Sequence, residues 1–271
     1  MYLIFDTETT GLPSDYNAPV SNSDNWPRLV QLAWQMHDET GKLVEVKNYT
    51  VRPEGFTIPY TAEKIHGIST EKALKEGRDL KEVLDEFYSS VEKASFLVGH
   101  NIEFDIKIVG AEFYRLGIEN EFMQKPLLDT KEDSTDFCAL PGGRGGKYKW
   151  PNLSELHWKL FNEGFNEAHN ASADVVATAR CFLELIRLGI YTPEKLKVSQ
   201  NVFDRFRELY PDTIQPISIE IEPNRDQTTE QQIQDQIEQQ QEATLNEKIS
   251  FTHLHVHTQY SILDGAADVP G

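Results

Sequence analysis

The sequence predicts an α/β domain over roughly residues 1–190, in which a central mixed sheet of five strands is flanked by helices. Short apolar runs rich in β-forming residues recur along this part of the chain. Two longer segments carry apolar residues at every third or fourth position, which is typical of amphipathic helices. A stretch of this length can bury an adequate single core.

Five short segments are predicted to form the strands. They lie at residues 2–5, 28–34, 43–51, 96–98 and 127–130. The first is wholly apolar and is therefore expected at the centre of the sheet. Gly41 lies in the hairpin turn between the second and third strands. Asp129, at the end of the fifth strand, is expected to be structural.

The predicted helices follow these strands. One begins near Asn101, interpreted as its N-cap, and carries apolar residues as far as Leu116. A second covers residues 173–188, and a shorter one is expected across residues 151–161. Residues 192–210 are predicted to form one further helix.

Two carboxylates stand at the end of the first strand. Side chains alternate across a strand, so Asp6 and Glu8 point to the same side. Adjacent carboxylates repel each other and are costly unless a cation lies between them. The alternative interpretation is an acidic strand end followed by a polar turn.

Two more acids and a histidine begin later helices or lie just before them. Asp105 falls in the first turns of its helix, where the partial positive charge of the helix favours an anion. Asp174 lies in the first turn of the helix at residues 173–188, and His169 lies on the preceding loop, within reach of it. A near-neutral pKa suits a histidine to take a proton from water. Each residue alone has an alternative interpretation as a solvated or helix-starting polar group, and His100 is interpreted as structural or substrate-positioning.

Together these segments resemble the motifs of a known enzyme family. Phe-Asp-Thr-Glu-Thr-Thr-Gly-Leu at residues 5–12, His-Asn-Ile-Glu-Phe-Asp at 100–105 and the His169–Asp174 pair are similar to the DEDDh branch of the DEDD 3′→5′ exonucleases. Ile-His-Gly-Ile at residues 65–68 resembles a further family element, although a short helix with a glycine C-cap would also explain it. The resemblance covers residues 1–190 and implies a ribonuclease H-like fold with the motifs at one end of the sheet.

The resemblance also implies a chemistry. Two divalent cations, Mg²⁺ or Mn²⁺, would be held by the carboxylates of Asp6, Glu8, Asp105 and Asp174. His169 would act as the general base, and Glu8 would also contact the terminal 3′-hydroxyl. The expected substrate contacts are Thr7, Leu12, His66 and Asn101. The expected products are a nucleoside 5′-monophosphate and a strand that is one nucleotide shorter.

The net charge of −18 is unusual for a nucleic-acid enzyme, because phosphate affinity usually rests on lysine and arginine. Residues 212–248 carry −7 of it and the rest of the chain −11. Weak intrinsic affinity for DNA is therefore expected, with metals and a partner domain supplying attraction. The glycine-rich segment 144–150 mixes cations with aromatic residues, and it is interpreted either as a DNA contact or as a solvated loop.

The C-terminal part differs in character from the rest. Residues 191–210 are predicted to be a helical extension, 211–248 an acidic, glutamine-rich linker, and 249–271 the truncated start of another domain. His253, His255 and His257 alternate there, and the string is similar to the start of the PHP domain of bacterial DNA polymerase III alpha subunits. The expected partners are therefore a single-stranded DNA 3′ end, the rest of an alpha chain in cis and other replisome components.

The expected location is the bacterial cytoplasm. The chain has two cysteines, Cys138 and Cys181, which are far apart in sequence, so no disulfide framework is expected. The first residues enter a strand without a signal-peptide pattern, and no apolar run has the length of a membrane span.

Three functions remain open from the sequence alone. The favoured one is a proofreading DNA exonuclease fused to a polymerase. The alternatives are an RNA-trimming exonuclease similar to oligoribonuclease or ribonuclease T, and a non-catalytic domain that tethers the polymerase.

Overall fold

The computed structural model describes residues 1–165 and 171–216, and it contains the five predicted strands in one mixed sheet. The strands are β1 (Tyr2–Thr9), β2 (Leu29–His37), β3 (Leu43–Thr50), β4 (Phe96–Gly99) and β5 (Leu127–Asp129). Their order in the sheet is β3-β2-β1-β4-β5, so β1 is central as predicted. β1 pairs antiparallel with β2 and parallel with β4.

Helices flank the sheet and fill the connections. Those of the described residues are α1 (Tyr60–His66), α2 (Thr70–Glu76), α3 (Leu80–Lys93), α4 (Ile102–Arg115), α5 (Thr130–Asp133), α6 (Thr135–Cys138), α7 (Leu153–Phe161), α8 (Ala171–Arg187), α9 (Pro193–Leu196) and α10 (Gln200–Leu209). None of these helices combines the length and apolarity that a membrane crossing requires.

The alternation of side chains along β1 divides the core into two layers. Leu3 and Phe5 pack with residues of α3 and α4, whereas Tyr2 and Ile4 pack with residues of α8 and α10. The same alternation predicts the direction of the next residues of the strand. Asp6 and Glu8 continue the α8 side, and Thr7 continues the α4 side.

Capping residues fix the ends of the helices near the site. Asn152 and Glu155 form a reciprocal capping box at the start of α7, which holds the predicted helix at its expected position. Gly67 ends α1 in the left-handed conformation, as a C-cap glycine does. Asn101 does occupy the N-cap position of α4, but its side chain makes no capping hydrogen bond and its φ is 74°. Asn101 thus occupies the predicted N-cap position, without the side-chain hydrogen bond that a capping residue usually makes.

The region after α8 contains two helices where one was predicted. Lys197 adopts a left-handed φ of 55° and ends α9, and Ser199 then caps α10 through its side chain. Phe203 and Phe206 of α10 are buried in the α8 layer. Ile214, which the sequence places in the linker, is also buried in that layer.

Several sequence predictions lie outside the described residues. They concern His169, most of the predicted linker and the PHP-like string with His253, His255 and His257. The two cysteines of the chain are free and buried.

Candidate active site

Three carboxylates meet where β1 runs past the end of its pairing with β4. The parallel register ends at Ile4 and Val98, whereas Asp6 and Glu8 remain paired with β2 on the other side. Asp174 approaches from the first turn of α8. One oxygen from each of Asp6, Glu8 and Asp174 lies within 4.8 Å of the others. The sequence prediction that these three acids converge is thus reproduced in the geometry.

The start of α8 is attached to the sheet beside this cluster. The Ala171 backbone N–H donates to Oε1 of Gln31 over 3.3 Å, and the Gln31 amide donates to Asn48 over 2.9 Å. Gln31 lies directly opposite Glu8 in the register of β1 and β2. Gln31 is not among the residues predicted from the sequence, although a glutamine within the apolar run of β2 was an available signal. Gln31 therefore positions the helix that carries Asp174.

Asp105 reaches the site from the opposite face of the sheet. The Thr7 backbone N–H and hydroxyl both donate to Oδ1 of Asp105, over 3.1 Å and 2.6 Å. Asp105 stands outside the group of three but is close enough to raise the pKa of Asp6. The structure thus brings the fourth predicted acid next to the cluster and fixes one of its oxygens on Thr7.

The four acids are electrostatically unfavourable as a group. Burial raises the pKa of Asp6 well above its usual range, and the charges of Asp105, Asp174 and Glu8 raise it further. Burial, followed by the charges of Asp174 and Asp105, raises the pKa of Glu8 to about 8. Burial raises the pKa of Asp105 to about 7 although the bonds from Thr7 oppose the change. A divalent cation would reverse this penalty, and an all-oxygen donor set suits Mg²⁺ or Mn²⁺.

His100 connects two walls of the site. Its Nδ1 lies 3.0 Å from the Thr130 hydroxyl, and its Nε2 lies 3.1 Å from the Pro151 carbonyl oxygen. Burial lowers the pKa of His100 to about 4, so the ring is neutral at physiological pH. The Pro151 carbonyl oxygen can only accept, so Nε2 of the neutral ring donates to it. His100 therefore attaches the end of β4 to the chain before α7, in agreement with its structural interpretation.

A cavity of about 260 Å³ opens beside the carboxylates. It is lined by Asp6, His100, Asn152, Leu153, Ser154, Phe165 and Asp174. Ser154 and Phe165 were not identified from the sequence. His169 lies outside the described residues, so its role as general base stays a prediction.

The four predicted substrate contacts differ in exposure. Leu12 is 74% exposed, and Asn101 is also exposed. Thr7 is buried and directs its donors at Asp105, as described above. His66 is buried too, with Nδ1 accepting from the Ile68 backbone N–H over 3.1 Å. Leu12 and Asn101 are thus accessible to solvent, whereas Thr7 and His66 are not, and the role of all four as substrate contacts stays a prediction.

Sequence comparison relates the chain to known nucleases. The family model described as Exonuclease (RNase_T) matches residues 3–182. The DNA polymerase III PolC-type of Streptococcus thermophilus strain LMD-9 is 29% identical over 187 residues, which are 69% of this chain and 11% of that protein. The PolC-type polymerase of Staphylococcus saprophyticus is 25% identical over 221 residues, which are 79% of this chain and 13% of that protein. The chain therefore spans little more than a tenth of the length of these relatives.

Comparison with solved structures identifies the fold. Escherichia coli exonuclease I in complex with a dA16 oligonucleotide matches with a TM-score of 0.55 and 20% identity, over 75% of this chain and 42% of that one. Exonuclease X in complex with 5′ overhanging duplex DNA matches with a TM-score of 0.50 and 20% identity, over 75% of this chain and 99% of that one. The mixed five-stranded sheet with flanking helices is the ribonuclease H-like exonuclease fold predicted from the sequence, and the chain belongs to the RNase_T exonuclease family.

Proposed function

We propose that the chain is a metal-dependent 3′→5′ DNA exonuclease of the DEDDh type that releases nucleoside 5′-monophosphates and proofreads for a DNA polymerase III alpha chain to which it is fused. The observation that carries the proposal is the cluster of Asp6, Glu8 and Asp174 within 4.8 Å, with Asp105 beside it. Divalent cations held by these carboxylates would stabilise the attacking and leaving oxygens of an in-line displacement at a phosphodiester.

Each residue of the site has a role in this proposal. Asp6, Glu8, Asp105 and Asp174 hold the cations, and Glu8 also contacts the terminal 3′-hydroxyl. His169 takes the proton from the attacking water. Thr7, Leu12, His66 and Asn101 form the surroundings of the terminal nucleotide, in which Leu12 and Asn101 provide the exposed contacts.

The relatives support DNA as the substrate and a polymerase as the context. The curated relatives named above are DNA polymerases, and the solved structures named above hold DNA. The PHP-like string at residues 251–267 agrees with an alpha chain in cis, and the acidic surface agrees with help from that chain in holding DNA.

The test is a degradation assay with the full chain on matched 5′-labelled single-stranded DNA and RNA oligonucleotides. Mg²⁺ or Mn²⁺ should yield a ladder that shortens from the 3′ end, with nucleoside 5′-monophosphates as products, and EDTA should abolish it. Asp6→Asn is the matched control, because it removes one ligand charge with little change of shape.

Three outcomes would count against the proposal. Undiminished turnover in EDTA, with metal content verified as nil, would contradict the metal-dependent chemistry. Faster cleavage of RNA than of DNA would favour the RNA-trimming alternative. Binding of DNA without cleavage of the DNA or the RNA oligonucleotide would favour the tethering alternative.

A further inference from the structure

An exposed tryptophan and a lysine lie together at the rim of the cavity. Trp150 is 61% exposed, and Nζ of Lys131 lies 4.8 Å from the centroid of its ring. The same ammonium donates to the side-chain oxygen of Asn101, the residue that follows His100. Among the residues that the structure describes, Lys131 forms no ion pair, so no carboxylate is paired with its ammonium.

Three observations place Trp150 and Lys131, which form this rim, next to the active site. Pro151, directly after Trp150, is bonded through its carbonyl to the His100 ring. Asn152, one residue further on, lines the cavity with Asp6 and Asp174. Oδ1 of Asp129 accepts from the backbone N–H groups of both Asn101 and Lys131. The position of the rim is therefore set by the same elements that build the site.

The rim is also a local exception to the charge of the protein. Residues 140–154 contain Arg144, Lys147 and Lys149 and no acid, in a chain with a net charge of −18. Lys149 forms an ion pair with Glu155, just after this segment, over 2.6 Å. Tyr148 in this segment is half exposed. Positive charge interleaved with exposed aromatic rings is the arrangement that binds single strands without base preference, because every base has a face that can stack.

We infer that Trp150 and Lys131 bind the retained part of a single-stranded nucleic acid, with a base stacked on the indole and the adjoining phosphate on the ammonium. The inference rests on the proposed function, in which the terminal nucleotide occupies the cavity beside Asp6 and Asp174. Trp150 lies outside the residues that line the cavity, so it meets the strand where it continues beyond the terminal nucleotide.

The direct test is binding, which needs no catalysis. Fluorescence anisotropy with the full chain, Ca²⁺ and a 5′-fluorescein oligothymidylate of about ten nucleotides gives the dissociation constant. Trp150→Ala should weaken binding by about 10-fold, within the range for loss of one stacked base, and Trp150→Phe should stay within about 3-fold of the parent. Lys131→Gln should reduce the slope of log affinity against log salt by about 0.7, the value for one single-strand phosphate.

The matched control is Tyr114→Ala. Tyr114 is 54% exposed and lies on α4, the helix of Asp105, about 13 Å further along its axis. Loss of this ring should leave the affinity unchanged. Equal affinity of Trp150→Ala and the parent would overturn the inference, and so would an equal loss in Tyr114→Ala.

A substrate that consists of one nucleotide cannot stack on Trp150. It therefore distinguishes the loss of stacking in Trp150→Ala from damage to the active site. The 4-nitrophenyl ester of thymidine 5′-monophosphate presents one nucleotide alone. Trp150→Ala should keep the parent's kcat/KM on this ester, while its KM for the oligonucleotide rises about 10-fold at nearly constant kcat. A parallel loss on the ester would assign Trp150 to the integrity of the site and overturn the inference. If the parent hydrolyses neither substrate, the proposed function fails, and the anisotropy result still decides the inference.

Discussion

Thr7 donates two hydrogen bonds to a single oxygen of Asp105, one from its backbone N–H at 3.1 Å and one from its hydroxyl at 2.6 Å. Thr7 lies between Asp6 and Glu8 on β1 but faces the other side of the sheet. The two bonds therefore join α4 to the strand that carries the cluster, and they set the position of the fourth acid relative to the other three.

Replacement of Thr7 by valine should reduce nuclease activity by roughly 10-fold at pH 7. Valine keeps the shape of threonine but removes a hydrogen bond to a buried carboxylate, which contributes about 1.5–3 kcal/mol. The pKa of Asp105, already raised to about 7, should rise further, so activity should recover in part at higher pH. Steady-state rates from pH 6 to 9 with Mn²⁺ measure this effect. Thr7→Ser is the control and should behave like the parent, whereas a valine variant with an unchanged pH profile would show that the hydroxyl does not position Asp105.

The metal-free protein should lose stability as the pH rises. Folding raises the pKa of Glu8 from 4.5 to about 8 and that of Asp105 from 3.8 to about 7. A group whose pKa is raised on folding contributes stability that is fully present below its unfolded pKa and is lost as the pH passes its folded pKa. The Tm without metal should therefore fall between about pH 5 and pH 9, and Mg²⁺ should raise it most at the alkaline end.

Glu8→Gln tests the origin of this pH dependence. The amide cannot ionise, so the variant should have a flatter Tm profile without metal and exceed the parent's stability at pH 9 by roughly 1–2 kcal/mol. It should have little nuclease activity. Thermal unfolding in EDTA at several pH values, with the parent alongside, gives the comparison. Parallel Tm profiles for the two proteins would mean that ionisation of Glu8 does not cause the loss of stability at high pH.

His169→Ala should lower kcat by about 10²–10⁴-fold, the usual contribution of general acid–base catalysis. The carboxylates stay in place, so affinity for single-stranded DNA should change little. Single-turnover rates and anisotropy measure the two quantities separately. His100→Gln is an informative comparison, because its structural position predicts a lower Tm as well as a lower rate. Full activity of His169→Ala across neutral pH would exclude His169 as the base.

Local sequence patterns predicted where a site residue lies within its own strand or helix. Alternation along β1 places Asp6 and Glu8 on one face, and helical spacing places Asp174 in the first turn of α8. The hydrogen bonds that join one strand or helix to another could not be predicted from such local patterns. The bond from Ala171 to Gln31 joins residues 140 positions apart, and no local propensity specifies such a pairing.

Backbone conformation explains why the start of α4 and the end of α9 differ from the sequence predictions. Asn101 and Lys197 both adopt positive φ, which non-glycine residues rarely do. The Asn101 backbone N–H donates to Asp129, and its side-chain oxygen accepts from Lys131 and does not cap α4. The turn at Lys197 divides residues 192–210 into two helices, although the apolar pattern continues across it.

The C-terminal segment of the described chain should be needed for stability. Ile214 is 4% exposed, its N–H donates to Glu184 over 3.0 Å, and its carbonyl accepts from Arg180 over 2.9 Å. Both partners are buried on α8, the helix that carries Asp174. Removal of Ile214 would expose apolar surface in that layer and leave two buried charged groups with fewer partners.

A chain that ends at Pro216 should therefore fold and retain activity on short single strands, whereas one that ends at Tyr210 should be less stable by roughly 3 kcal/mol or more. Urea unfolding of the two fragments and of the full chain measures the difference. Ile214→Ala in the full chain is the matched control and should lose about 2–4 kcal/mol through the cavity alone, with both backbone bonds kept. The shorter fragment should lose activity at temperatures where it unfolds and recover it on cooling, because Asp174 depends on the packing of α8. Equal stability of the two fragments would show that residues 211–216 add nothing to the fold, as expected of the predicted linker at residues 211–248.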